Sequence, residues 1–341
     1  MIIAIWNIRG LNKPFKQKEF KLFLNKNKVD LIGCIETRVK EPKSKIILNK
    51  IVPGWEACYN YPNAVNGRIW LLWKRHLRVQ IISIAEQLIH CTVEETTGFS
   101  THLTIVYAKN DLQQRDTLWN ELRFIGNQIP TPWHICENFN NVLSTEDRIG
   151  APVTQQEIQE FQHCIDTLQL SLLKTIGWHF TWCNKQQGTS RVYSKIDWAF
   201  RNYHWLQKHG HIEADYMNPS VSDHSPILIH YGARIELHPR PFKVFSNVLH
   251  HPEFRKKVEN TWHLTVRGDP RHQVLRKLHL LKDNLKELIA YMASYKQKLE
   301  QLREELEVTQ ANLKHQPQDQ LLIDKERQIL LHLEKWSSIE E

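Results

Sequence analysis

At 341 residues the chain is long enough for about two domains of ordinary size. Hydrophobic residues make up 41% and charged residues 24%, and 12 Trp with 12 Phe exclude a disordered chain, which cannot keep so much ring surface in water. Lys and Arg number 45 against 37 Asp and Glu, a net charge of +8 that favours a polyanionic partner. No apolar run approaches the roughly 18–20 residues needed to cross a bilayer. The N-terminus has no basic flank, long apolar stretch and small-residue cleavage site. The chain is therefore expected neither to span a membrane nor to be secreted. Cys34, Cys58, Cys91, Cys136, Cys164 and Cys183 are scattered with no C-x-x-C pair, as expected for reduced thiols packed in a core.

Short apolar runs, rich in β-branched and aromatic residues, predict strands at Ile2–Trp6, Leu31–Ile35, Ile69–Trp73, Val79–Ile84, Leu103–Tyr107, Trp133–Cys136, Phe180–Cys183, Ile196–Phe200 and Ile227–Tyr231. Helical periods fall between them. Lys16–Asn27 sets Phe20, Leu22, Phe23 and Leu24 on one side, Arg115–Ile129 gathers Leu118, Trp119, Leu122 and Ile125, and Ile158–Leu170 gathers Phe161, Ile165 and Leu168. Strands under helices predict a layered α and β domain over 1–231. A basic connector with Pro residues occupies 232–272. From 273 to 341 the pattern changes: Val274, Leu278, Leu281, Leu285, Leu288, Met292, Tyr295, Leu299, Leu302 and Leu306 alternate steps of four and three, extended by Thr309 and Leu313. Pro317 should stop this helix. A second helix is expected from Gln318–Leu321, with Leu322, Ile329 and Trp336 seven apart. The simplest arrangement is an antiparallel coiled-coil hairpin, and self-association through 273–341 is its competitor. Ile339-Glu340-Glu341 carries no helix-ending signal, so a longer polypeptide is expected.

Polar residues stand at the ends of the predicted strands: Asn7, Glu36, Tyr107, Asn138, Asn140, Asp197 and Ser222-Asp223-His224. A layered fold gathers such ends on one edge, where burying them is costly unless they satisfy one another or hold an ion. Glu36 with an Asn amide oxygen supplies hard ligands suited to Mg²⁺ or Mn²⁺. Asp223 beside His224 is expected to hold a charged imidazole, able to stabilise negative charge or act as an acid at a phosphate. Tyr107 can donate to a phosphate oxygen. The set describes metal-assisted attack of water on a phosphodiester. Taken singly, each residue also fits an ordinary turn cap or surface ion pair.

Seven motifs occur in order: Trp6-Asn7-Ile8-Arg9-Gly10-Leu11, Ile35-Glu36-Thr37-Arg38, Asn66-Gly67-Arg68-Ile69-Trp70, Val106-Tyr107-Ala108, Phe139-Asn140-Asn141-Val142, Tyr193-Ser194-Lys195-Ile196-Asp197 and Ser222-Asp223-His224-Ser225-Pro226. The series resembles the endonuclease/exonuclease/phosphatase superfamily. It looks most like the endonuclease segment of plant long interspersed elements (LINEs), which are non-LTR retrotransposons; Phe180-Thr181-Trp182-Cys183-Asn184 and His251-Pro252-Glu253-Phe254 add to that likeness. The resemblance implies a four-layer α/β sandwich, two packed sheets with outer helices, and a substrate of DNA in the nucleus. It implies metal ligation by Glu36 and Asn7, phosphate or nucleophile positioning by Tyr107 and Asn140, and support of the leaving group by Asp197. Asp223 and His224 would place the imidazole. The loop Lys185–Arg191 resembles a hairpin pressed against DNA, with Arg191 and Lys195 as phosphate contacts and Arg9 and Arg38 added from the motif loops.

One departure stands out. The family pattern Gly-Asp-Phe-Asn reads Glu137-Asn138-Phe139-Asn140 here. The missing Asp is the group expected to orient and deprotonate water, and an Asn can hydrogen-bond water but cannot take its proton. Regular strand geometry would turn Glu137 to the opposite face. The expectation is a Mg²⁺-dependent DNA-nicking enzyme impaired at Asn138. The alternatives are a catalytically inactive nucleic-acid-binding protein of the same fold and a coiled-coil interaction protein.

Overall fold

The computed structural model of the chain describes residues 1–64, 67–96, 98–231, 252–266, 273–274, 277, 280–281 and 284–338. The strands are β1 (Ile2–Asn7), β2 (Leu31–Ile35), β3 (Glu56–Tyr59), β4 (Ile69–Trp73), β5 (Arg78–Ile84), β6 (Leu88–Glu94), β7 (Ser100–Tyr107), β8 (Trp133–Asn138), β9 (Arg148–Ile149), β10 (Ser171–Leu172), β11 (Lys174–Gly177), β12 (Trp182–Cys183), β13 (Tyr193–Ser194), β14 (Asp197–Arg201), β15 (Glu213–Tyr216) and β16 (Ile227–His230). The helices are α1 (Pro14–Lys26), α2 (Glu41–Ile51), α3 (Asp116–Gly126), α4 (Gln155–Thr167), α5 (Tyr203–His209), α6 (Pro252–Trp262), α7 (Lys286–His315) and α8 (Gln320–Ser338).

Two large mixed sheets form the centre. One is seven-stranded, in the order β11-β15-β16-β1-β2-β4-β3, and the other is six-stranded, in the order β10-β14-β8-β7-β6-β5. The period of two along each strand decides which side chains go where. On β1, Ile3 and Ile5 join the core between the sheets, while Ala4 and Trp6 join an outer core with Phe20, Leu24 and Ile47 of α1 and α2. On β7, Leu103 and Ile105 face inward, and Val106 packs outward with Leu118, Trp119 and Phe161 of α3 and α4. Three apolar layers between four structural layers make a four-layer α/β sandwich. At Gly33 a Cβ would meet the Ile105 side chain at 3.0 Å, so the two sheets approach closely only because this residue has none.

The predicted strands and helices are all present in part, but Leu22 is exposed at 39%, so of the four apolar residues expected on one side of α1 Phe20 and Leu24 are buried. The six cysteines are free; five are buried and Cys58 is half-buried. The described residues fall into two compact units, one drawn from 1–231 with 307–330 and the other from 252–306 with 331–338. The helical segment expected as one body over 273–341 is thus divided between them. The α7 and α8 helices form a helical hairpin, with the turn at Pro317 where the sequence placed it. Leu299, Leu302, Leu306, Thr309 and Leu313 are buried along α7, while Val274 is 46% exposed. On α8 the buried series is Ile323, Glu326, Ile329 and Leu333, one step displaced from the expected Leu322. Leu278, the side chains of Leu288, Met292, Tyr295 and Trp336, and residues 232–251 and 267–272 of the connector lie outside the described residues. Within the connector, Arg255 and Lys256 are exposed on α6, and Arg255 pairs with Glu259 one turn on.

Candidate functional site

The inner-facing parity of the strands brings the polar ends together. Asn7 follows Ile3 and Ile5, Tyr107 follows Leu103 and Ile105, Asn138 follows Cys136, and Asp197 precedes Ala199, all on the faces the sheets turn to each other. The parallel pairs β1 with β2 and β7 with β8 end at the same edge. There β14, antiparallel to β8, sets Asp197 beside Asn138, and β16 begins just after His224. The edge opens into a cleft of about 990 Å³. Its lining includes Arg9, Glu36, Arg38, Tyr107, Asn140 and His224 from the predicted set.

The imidazole of His224 is buried, and its Nδ1 lies 2.9 Å from Asp197 Oδ2 and 3.1 Å from Oδ1. Burial works against its charge, but Asp197, with Asp223 and Glu36 adding to it, raises the pKa above the ordinary histidine value. This corrects one expectation. The carboxylate that hydrogen-bonds the ring is Asp197, across the sandwich; the neighbouring Asp223 favours the charged ring through its charge alone, while its side chain pairs with Arg9 and accepts from Trp182 Nε1 at 3.3 Å. Adjacent residues at a loop point apart, so sequence adjacency was a poor guide to the pair.

On the facing side, Asn7 Nδ2 donates to Glu36 Oε1 at 3.1 Å and lies 3.3 Å from His224 Nε2. Asn7 Oδ1 is buried with no hydrogen-bond partner. A carboxylate and an amide oxygen are hard donor types that suit a divalent cation, though the atom Asn7 turns to Glu36 here is its Nδ2. Glu36 and Asn7 are the residues that could hold such a cation; among the described residues no cluster of three or more His, Cys, Asp or Glu is placed to hold a metal. Arg9 and Arg38 lie 3.7 and 3.5 Å from Glu36 Oε2 and balance its charge. Tyr107 also faces Glu36; burial and that carboxylate push the phenol up to about 12, so it stays a donor.

The backbone is strained where the site needs reach. Arg9, Glu36, Arg38 and Asn140 all line the cleft and all adopt left-handed φ values of 43°, 48°, 54° and 51°. Such conformations in non-glycine residues are costly and collect at functional sites. Asn138 supports one of them: its Oδ1 accepts from Asn140 N–H at 2.7 Å. Glu137 departs from regular strand geometry with φ 102°, and its side chain is buried close to Asp197.

Arg191 and Lys195 do not reach the surface. Arg191 is 2% exposed and pairs with Glu326, and Lys195 is 7% exposed with its ammonium 4.7 Å from the Trp198 ring. Neither is available to a phosphate in this arrangement. The cleft instead takes Lys40, Arg68, Arg115 and Arg148 as further basic residues, against Glu36 and Glu157 as the acids among the described residues of its lining. Arg68 sat in the motif Asn66-Gly67-Arg68-Ile69-Trp70, where its charge was the available signal.

No family model matches the chain, and no curated protein matches it in sequence. Solved structures do match in shape. The endonuclease domain of TRAS1, a telomere-specific non-LTR retrotransposon, superposes with a TM-score of 0.54 at 11% identity, covering 69% of this chain and 99% of that one. The chain shares the fold of that domain. The 3'-5' exonuclease NExo from Neisseria meningitidis matches at TM-score 0.52 and 16% identity over 68% of this chain and 99% of its own. The AP endonuclease LMAP from Leishmania major matches at 0.54 and 13% over 67% and 86%. Within this fold the cleft lies at the sheet edge that the ordered motifs pointed to.

Proposed function

We propose that this cleft belongs to a Mg²⁺- or Mn²⁺-dependent DNA endonuclease of the non-LTR retrotransposon kind, impaired at position 138. The observation that carries the reading is the convergence, in one basic cleft, of the His224–Asp197 pair, the Glu36–Asn7 donor set and the Tyr107 phenol. Arg38, Lys40 and Arg68 would grip backbone phosphates. Nuclear DNA is the substrate this reading implies. Glu36 and Asn7 would hold the cation, which would supply neutralising charge at the scissile phosphate. His224, with Nδ1 on Asp197, turns Nε2 toward the phosphate, and Tyr107 donates to an oxygen of the same group. Asn140 helps position the phosphate or the attacking water. What is missing is a base: the Asn138 amide accepts no proton, and its oxygen is engaged by the Asn140 backbone.

Asn138 also favours a second reading, a nucleic-acid binder that has kept the surface and lost the reaction. A supercoiled-plasmid assay with Mg²⁺ separates them. The double change Glu137→Gly with Asn138→Asp is expected to nick, and adding Glu36→Ala or His224→Ala to it is expected to abolish nicking. A double revertant that binds duplex DNA but never nicks it leaves only the binding reading.

A further inference from the structure

The loop between β12 and β13 and the loop between β15 and β16 both border the cleft, the first through Trp182 and Ser194 at its base and the second through His224. Both are fastened to the segment 307–330, which belongs to the same compact unit. Glu326 is the centre of this attachment. It is buried in the otherwise apolar stripe of α8, with Oε2 2.6 Å from Arg191 Nη2 and Oε1 2.5 Å from Lys185 Nζ. Gln187 and Gly188 of the same loop bond to Asp324 and Gln320. Gln310 of α7 donates to Glu326 Oε1 at 3.0 Å. The same Gln310 amide closes on Ser220 from both sides, accepting from Ser220 N–H and donating to Ser220 O, each at 3.1 Å. Ser220 and Lys185 both hold left-handed backbones, φ 53° and 56°, so each loop keeps a strained turn at its point of attachment.

We infer that Glu326 and Gln310 are positioning residues, which brace the hairpin loop 184–192 and the imidazole loop 217–225 against each other so that both present to nucleic acid in one register. The brace deepens the nuclease reading and rests on it. The path to the site is short. Arg191 Nε donates to Tyr193 Oη at 2.8 Å, Cys183 N–H donates to Asp223 O at 2.9 Å, and Ser222 Oγ donates to Asn7 O at 2.6 Å. Burial opposes the charge on Glu326, yet Lys185 and Arg191 hold its carboxyl down at about 2, so the ion pairs persist across the working pH range. Loops carry recognition, and their precision depends on what supports them.

The test is hydrogen–deuterium exchange on the full chain with Glu326→Gln, Glu326→Asp and Gln310→Ala. Glu326→Gln is expected to speed exchange in both 184–192 and 217–225 by about tenfold or more, with β1 and β8 unchanged and Glu326→Asp recovering part of the protection. Gln310→Ala, which strands no charge, should release 217–225 and decides the matter if Glu326→Gln does not fold. In the Glu137→Gly, Asn138→Asp background, Glu326→Gln should raise KM for a duplex by about fivefold or more. Unchanged exchange in the two loops, or an increase spread evenly over both sheets, overturns the brace. If exchange behaves as expected and the revertant never nicks, the brace stands as a support of a binding surface and the nuclease reading falls.

Discussion

Glu137 combines two costs at one position. Its φ of 102° is a conformation that side chains with a Cβ rarely adopt. Burial, and then repulsion from Asp197, pushes its carboxyl well above the ordinary range. The Asn7 backbone N–H lends weak electrostatic support, and no hydrogen bond of ordinary geometry reaches either oxygen. Glu137→Gly is expected to stabilise the protein by about 1–3 kcal/mol, the usual size of such backbone strain. Glu137→Gln isolates the charge from the backbone. A carboxyl whose folded pKa lies above its unfolded value favours the fold below the unfolded pKa and loses that contribution as pH rises. The glutamine variant should therefore match the parent near pH 4 and exceed it in urea midpoint at pH 8. A difference that is the same at both values would show that the carboxyl is not the cause.

At the scale of elements, β6, β7 and β8 place three histidines deep in the six-stranded sheet. His90 Nδ1 lies 2.8 Å from Thr104 Oγ1, and its ring stacks on His102 with centroids 5.3 Å apart. His134 is wholly buried between Thr101 and Tyr231. Burial, with neighbouring histidines adding to it, lowers His90 to about 4 and His134 to about 3. Between these values and the ordinary 6.5, the unfolded chain binds more protons than the fold, so stability falls with falling pH in that window. Urea midpoints measured from pH 7 to pH 5 should decline, and His134→Gln should flatten the decline by roughly 1.4 kcal/mol per pH unit. An unchanged slope would contradict the assignment. The sequence made the motif-bearing strands legible because each is an apolar run closing on a polar end. It did not reveal β3, β6, β11 or β15. Polar residues such as His90 and Thr92 interrupt β6, and Lys174 and Thr175 leave β11 exposed as an edge strand. These segments owe their pairing to neighbours already in place. Glu326 was illegible for a related reason: its partners Arg191 and Lys185 are 135 and 141 residues away in the chain.

For the whole molecule, the +8 charge acquires a location, since the cleft draws Arg9, Arg38, Lys40, Arg68, Arg115 and Arg148 to one edge. Part of that charge is committed within the chain. Arg148 is held by Glu157 at 2.7 Å, and Arg115 bonds to the carbonyls of Lys109 and Asn110. The segment 307–330 belongs to the same compact unit as the sandwich and fastens two of its loops. On the proposed reading, the site is assembled for phosphodiester hydrolysis and position 138 withholds the proton transfer. The most direct measurement is the single-turnover nicking rate on supercoiled DNA with Mg²⁺, comparing the parent with Glu137→Gly, Asn138→Asp. A gain of about two to four orders of magnitude is predicted, the usual worth of a general base; equal rates, both lost with Glu36→Ala, would contradict it.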